Sequence, residues 1–159
     1  MKKLILILAL TVMVGCAHVI SQEVRNEVDA EVTPEMIFSS PDAYKGKSVI
    51  LGGVIINSQN TQEGTSIEVL HRPTDYRGRP KNTDISLGRF LIFHEGYLDT
   101  AIYSVGRKVT VAGEVLGKRM RPLGKLEYPY VVIKSTELHL VKSQRDGGVG
   151  FSLGIFTTF

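Results

Sequence analysis

The sequence predicts an all-β domain with a short helix, arranged as an OB-like five-stranded Greek-key barrel. Three observations carry that prediction. Five β-branched, apolar stretches are separated by segments rich in Gly, Pro, Asn and Asp. One helical stretch falls between the third and fourth of them, and strand, strand, strand, helix, strand, strand is the order of an OB barrel. The third is an internal echo: GKSVILGGVI (46–55) aligns without gaps on GRKVTVAGEV (106–115). In both, a glycine closes a tyrosine-bearing turn, a basic residue follows and a Val-rich strand begins, as at two matching corners of one small barrel. A five-stranded sandwich is the alternative arrangement.

The elements follow in chain order. PDAY (41–44) reads as a short helix stopped by Gly46. SVILGGVII (48–56) is apolar on both faces, so it is a buried first strand, with Gly52 and Gly53 marking a bend or bulge. TSIEVLH (65–71) alternates, with Ile67 and Val69 on one face and Ser66 and Glu68 on the other. RPTDYRGRPKNTD (72–84) is a long turn-rich loop, and GRFLIFH (88–94) is the third strand. LDTAIYSVG (98–106) reads as the helix, with Asp99 as N-cap and Gly106 as stop. RKVTVAGEVLG (107–117) and YVVIKSTELHLV (130–141) are the last two strands, the fifth broken near Ser135. The barrel domain is thus expected over 35–142, with 143–159 as a Gly-rich tail.

The first 34 residues have a different character. Lys2 and Lys3 precede LILILALTVMV (4–14), an apolar run of eleven residues. As a helix it spans roughly 16 Å, too short for a bilayer core of roughly 30 Å and suited to a signal-peptide core. Gly15 and Cys16 follow, and Cys16 is the only cysteine of the 159 residues. The run 13–16 resembles the lipobox of bacterial lipoprotein precursors. That resemblance implies cleavage after residue 15, diacylglycerol and a further acyl chain on Cys16, and a lipid anchor. Two or three acyl chains hold a protein at a bilayer where a single chain binds only marginally. Ala17 in place of aspartate implies sorting to the outer membrane. Residues 16–34 then read as a lipidated N-terminus and tether, with valines 19, 24, 28 and 32 able to line one face of a docked helix instead.

Charge and reactive groups limit the functional classes. The net charge of +3 includes Lys2 and Lys3, and without them 17 basic residues face 16 acidic ones. No general affinity for nucleic acid follows. GFSLG (150–154) matches a nucleophile elbow, but only seven residues follow Ser152 and none is His, Asp or Glu. The four histidines, at 18, 71, 94 and 139, show no metal-ligand spacing. The expectation is a protein without catalysis, cofactor or metal.

Two basic segments are the candidate anion-binding elements. Arg72, Arg77 and Arg79, with Lys81, lie after the second strand; Arg119 and Arg121 lie in GKRMRPLGK (117–125), between strands four and five. In OB folds that second connection is a usual recognition loop, and arginine grips phosphate or carboxylate in bidentate fashion. The partners expected are outer-membrane lipid through Cys16 and an anionic envelope component or protein. An exported protein meets little nucleic acid, so none is expected, although Tyr76, Tyr128 and Tyr130 would be available for stacking. In the tail, Val149, Phe151, Leu153, Ile155 and Phe159 alternate with small or mostly polar residues, as in a final outer-membrane strand. A lone strand cannot span lipid unpaired, so the readings are a strand added to an edge of this barrel, one paired with another protein, or a disordered tail.

GRP (78–80), SLGRFLI (86–92), GYLD (96–99), GRKVTVAGEV (106–115) and LGKLEYPYVVI (123–133) together resemble the Slp family of starvation-inducible outer-membrane lipoproteins of Gram-negative bacteria. The resemblance implies an envelope lipoprotein linked to starvation or stationary phase. It brings no catalytic residues with it. The expected role in the envelope is structural or binding, and the alternative is a periplasmic module that holds an anionic envelope component through its basic loops. Loop arginines converging on one groove favour the binding module, scattered arginines the structural role.

Overall fold

The computed structural model describes residues 17–142. The leader, Cys16, Ser152 and the tail from 143 lie outside the described residues.

Five strands form a closed barrel in the order β1-β2-β3-β5-β4. They are β1 (Ser48–Thr61), β2 (Gly64–His71), β3 (Arg89–His94), β4 (Lys108–Leu123) and β5 (Leu126–Val141). The first half of β1 pairs with β4, from Ser48↔Glu114 to Val54↔Lys108, and its second half pairs with β2. β3 and β5 close the wall in parallel, Phe90 opposite Val131. One long strand shared by both halves and a parallel β3–β5 closure make this the OB arrangement expected from the sequence.

The internal echo is a two-fold relation between β1 and β4. The Gly46 and Gly106 amides donate to the carbonyls of Val115 and Ile55, each at 2.9 Å. The return bonds, Val115 N–H to Lys47 O and Ile55 N–H to Arg107 O, are also 2.9 Å. Each turn glycine thus closes its strand onto the equivalent residue of the other copy.

The barrel interior holds Val49, Leu51, Ile55, Ile67, Val69, Phe90, Ile92, Val109, Val111, Val115, Val131 and Ile133. Its plug comes from ahead of β1. Helix α2 (Pro34–Ser39) starts with the Thr33 hydroxyl accepting from Met36 N–H and with Pro34 at its first position. It drives Ile37 into the core with no residual exposure, worth about 2–3 kcal/mol of apolar burial. Phe38 beside it meets the edge of Phe90 at 6.2 Å. Pro41–Tyr44 forms the expected short helix as one 3-10 turn.

Three expectations change. Residues 98–106 make two successive turns, not a helix. Asp99 Oδ1 accepts from Ala101 N–H and Asp99 O from Ile102 and Tyr103 in the first; Ser104 O accepts from Arg107 N–H in the second, where Gly106, at φ +87°, turns the chain into β4. With α2 already filling the barrel mouth, this connection needs only Leu98 and Tyr103 against the core. The β1 bulge falls between Ile55 and Asn57, not at the glycines. Gly52 and Gly53 instead permit close approach, since a Cβ on them would lie 2.6 Å from Thr74 Cγ2 and 2.2 Å from Leu70 O. Lastly, β5 is unbroken at Ser135; a bulge shifts its register there, with Ala112 opposite Glu137 and Gly113 opposite Ser135.

The segment read as a tether is docked from Val19 onward. Val19 N–H donates to Arg77 O at 2.9 Å, Ile20 is buried, and the Ser21 hydroxyl donates to Glu137 Oε2 at 2.8 Å. Ser21 also caps α1 (Gln22–Asn26), and Val32 packs onto the core.

Candidate functional site

The segment containing Arg119 and Arg121 is not a loop. β4 and β5 continue past the barrel wall as a two-stranded ribbon that turns at Gly124 and Lys125, between Leu123 and Leu126. Arg119 stands opposite Tyr130 and Arg121 opposite Tyr128. The β1–β2 hairpin extends likewise, to a turn after Thr61. Between the two hairpins lies a groove of about 500 Å³, with Arg119 and Arg121 on one rim and Gln62 and Glu63 on the other. Its floor is Leu91, Phe93, Leu116 and Val132.

The apolar floor follows from β3 and β5 being greasy on both faces. Phe90, Ile92, Val131 and Ile133 point inward, so Leu91 and Val132, which pair across β3 and β5, point outward. Leu91, Tyr130 and Val132 form a second buried cluster outside the barrel, with Tyr128 against it.

A polar brace adjoins this floor. Glu68, opposite Leu91, accepts from Arg89 Nη1 at 2.8 Å and from the Tyr130 hydroxyl at 2.9 Å, both at Oε1. The Tyr128 hydroxyl accepts from Arg89 N–H at 3.2 Å, and the Tyr128 and Tyr130 rings meet edge-on at 5.1 Å. The hydrogen bond to Glu68 raises the Arg89 pKa, and burial with the Glu68 charge raises that of Tyr130. Both therefore remain protonated at neutral pH, as donors to Glu68. Arg89 and Glu68 were not among the sequence candidates. The signal for them was an alternation of Glu68 with inward Ile67 and Val69, and of Arg89 with inward Phe90.

Arg72, Arg77 and Arg79 lie elsewhere, on the 72–88 loop. That loop folds back on the outer face of β1 and β4. Asp75 Oδ1 accepts the amides of Arg77 and Arg79, each at 2.9 Å, and Thr74 bridges Pro80. Burial opposes the Asp75 charge, but these amides and arginines outweigh it and hold its carboxyl below the ordinary value. Gly78 O accepts from the Thr110 hydroxyl at 2.7 Å, and Pro80 O from Lys108 Nζ at 2.8 Å. Arg79 lines a cleft of about 280 Å³ with Lys81, Lys108 and Lys142, and Arg72 lines an adjoining one with Lys81 and Lys108. Arg77 stacks over Tyr76, 5.1 Å from the ring centroid. The five candidate arginines do not converge on one groove: Arg119 and Arg121 share the hairpin groove, Arg79 and Arg72 line the two loop clefts, and Arg77 stacks on Tyr76, a scatter that by the sequence criterion favours a structural role for the set as a whole.

The strand histidines have local partners. His94 Nδ1 is 2.9 Å from the Ser135 hydroxyl, and His139 Nε2 faces Glu137 Oε1 at 2.6 Å. His71 is buried and accepts Leu87 N–H at Nδ1. Among the described residues no group of three His, Cys, Asp or Glu is placed to hold a metal, and no helix is long and apolar enough to cross a membrane.

The family model "Outer membrane lipoprotein Slp family" matches residues 13–150. The chain belongs to the Slp family. It is thereby a membrane-anchored lipoprotein, as the resemblance of its motifs implied. The Slp-family chain is 31% identical over 100 residues to the uncharacterized lipoprotein YeaY of Escherichia coli K12, covering 63% of this chain and 51% of that one. It is 28% identical over 95 residues to an uncharacterized protein of Haemophilus influenzae, covering 59% and 51%. The chain thus spans about half the length of these curated relatives. Among solved structures it is similar to Rim1, a mitochondrial single-stranded DNA binding protein of S. cerevisiae, with a TM-score of 0.39 at 10% identity over 61% of this chain and 96% of that one. A single-stranded DNA-binding protein of Streptomyces coelicolor gives a TM-score of 0.36 at 13% identity, covering 64% and 98%.

Proposed function

We propose that this Slp-family chain is anchored through acylated Cys16 to the outer membrane, with its barrel in the periplasm. There it binds an anionic component of the envelope in the hairpin groove and performs no catalysis. The reading is carried by one juxtaposition: Arg119 and Arg121 stand at the rim of a groove of about 500 Å³ whose floor is Leu91, Phe93, Leu116 and Val132. An arginine rim grips carboxylates or phosphates, and an apolar floor beside it accepts the non-polar face of a sugar ring or peptide. The connections that form the two rims, β1–β2 and β4–β5, are those that bind oligonucleotides and oligosaccharides in OB folds generally. The lipobox resemblance supports Cys16 as the anchor, Ala17 supports the outer membrane as destination, and the family resemblance supports a link to starvation or stationary phase. A leader that exports the chain favours an envelope polymer over nucleic acid.

The test is co-sedimentation of the detergent-extracted protein with purified peptidoglycan sacculi, with lipopolysaccharide and oligo(dT) as competitors. The wild-type chain is expected to sediment with sacculi, or to be drawn off by lipopolysaccharide if phosphate is the preferred anion. R119E/R121E is expected to reduce retention at least tenfold, while R79E/K81E, on the other face, leaves it unchanged. Equal retention of both variants, or competition by oligo(dT) alone, contradicts the reading.

A further inference from the structure

The groove leaves a second cationic surface unused, and that surface lies on the side where the chain departs toward Cys16. Val19 is fixed to the 72–88 loop by its bond to Arg77 O, and Gly78 sits against its side chain. Cys16 precedes Val19 by three residue steps, and a chain that short reaches at most about 11 Å. A lipid-anchored Cys16 therefore holds the Arg77–Gly78 part of this loop within about one Debye length of the headgroups. Arg72, Arg79, Lys81, Lys108 and Lys142 line the two adjoining clefts there. None of the five is in an ion pair with another described residue. Two acidic residues line the clefts against these five cations: Asp75 turns its carboxylate into its own loop to accept two amides, and the exposed Asp84 lines the second cleft with Arg72, Lys81 and Lys108. The cations are pre-positioned: Lys108 is held by Pro80 O, and the loop itself by Thr110.

We infer that this basic face seats on the phosphates of anionic phospholipid headgroups, fixing the barrel's orientation at the membrane so that the hairpin groove is presented away from it. The inference rests on the Cys16 anchor proposed above. The docked Val19 sets which side faces the lipid, and the unpaired cations set the lipid class. Each cation near an anionic surface strengthens adsorption roughly fivefold, an effect that fades with salt.

The test uses the lipidated protein extracted from membranes and reconstituted in vesicles. Two variants carry a fluorophore, one at N82C beside the basic clefts and one at Q62C at the groove rim. The vesicles contain a headgroup-linked quencher and are either pure phosphatidylcholine or contain one-fifth phosphatidylglycerol. The label at 82 is expected to be quenched on phosphatidylglycerol vesicles at least threefold more than on phosphatidylcholine, and the label at 62 on neither. Adding R79Q, K81Q and K142Q is expected to abolish the quenching at 82 while the protein still floats with both vesicle types. Equal quenching at 82 and 62, or no dependence on phosphatidylglycerol, overturns the inference and leaves the anchor standing. Flotation on anionic vesicles only supports the basic face and overturns the anchor; flotation on neither overturns both. Quenching lost in millimolar inorganic phosphate but kept in chloride of equal ionic strength assigns the site to a free anion and overturns the membrane reading.

Discussion

Arg89 Nη1 lies 2.8 Å from Glu68 Oε1 on the outside of the barrel, next to the floor of the groove. Tyr130 donates to the same oxygen, so one carboxylate couples β2, β3 and β5. Neither partner is fully buried, the side chains being 31% and 18% exposed. Removing the Glu68 charge leaves a partly desolvated guanidinium without its counter-ion. Glu68→Gln is expected to cost about 2 kcal/mol and Tyr130→Phe about 1 kcal/mol. The double variant should lose less than their sum, because both bonds end on Glu68. Urea unfolding of the three variants measures this; strict additivity would show that the brace is not a unit.

The close approach of β4 to β5 is tested at Gly113. A Cβ there would stand 2.1 Å from Lys134 O, a backbone atom with nowhere to go. Gly113→Ala should cost about 3 kcal/mol or more. Gly96→Ala is the control: its φ is +94° but nothing lies within 4 Å, so only conformational strain of about 1 kcal/mol is expected. Denaturation midpoints of the two variants give the comparison, and similar losses would contradict the packing account.

His71 supplies a pH dependence. Burial pushes its pKa below the ordinary value, with the Glu35 charge opposing, and Nδ1 must stay unprotonated to accept Leu87 N–H. The unfolded chain takes up a proton near pH 6.5 that the folded chain refuses. Stability from this group is therefore full above about pH 6.5 and falls as pH drops, by at most about 1.4 kcal/mol per unit. His71→Asn should be less stable at pH 8 and show a shallower fall between pH 6.5 and 5. Parallel pH profiles for the variant and the wild-type chain would refute this.

The strand order was legible because β-branched runs and turn residues punctuate the chain cleanly, and because the 46–55 and 106–115 echo reports a true two-fold pairing. The helix expected at 98–106 gives way because Asp99 opens a tight turn and Gly106 closes another as readily as they cap a helix, and α2 already plugs the barrel. Charge singles out Arg119 and Arg121, but not their setting: the segment 117–125 reads as a connecting loop, whereas cross-strand pairing of Gly117 with Val132 and of Pro122 with Glu127 carries it through a ribbon. The groove floor was hidden for a physical reason. A strand apolar on both faces does not say which face is core, so Leu91 and Val132 could be assigned only once Phe90 and Ile133 were seen inside. The docking of Val19 to Ser21 depends on partners at Arg77 and Glu137, far away in sequence.

Everything proposed for the site and its orientation presumes a lipid on one sulfur. The direct measurement is the intact mass of the protein extracted from native membranes, with Cys16→Ser beside it. The account predicts a chain that begins at residue 16 and carries two or three acyl chains, and a serine variant that retains its leader. A wild-type chain with the leader attached, or one whose Cys16 sulfur bears no diacylglycerol, would contradict it.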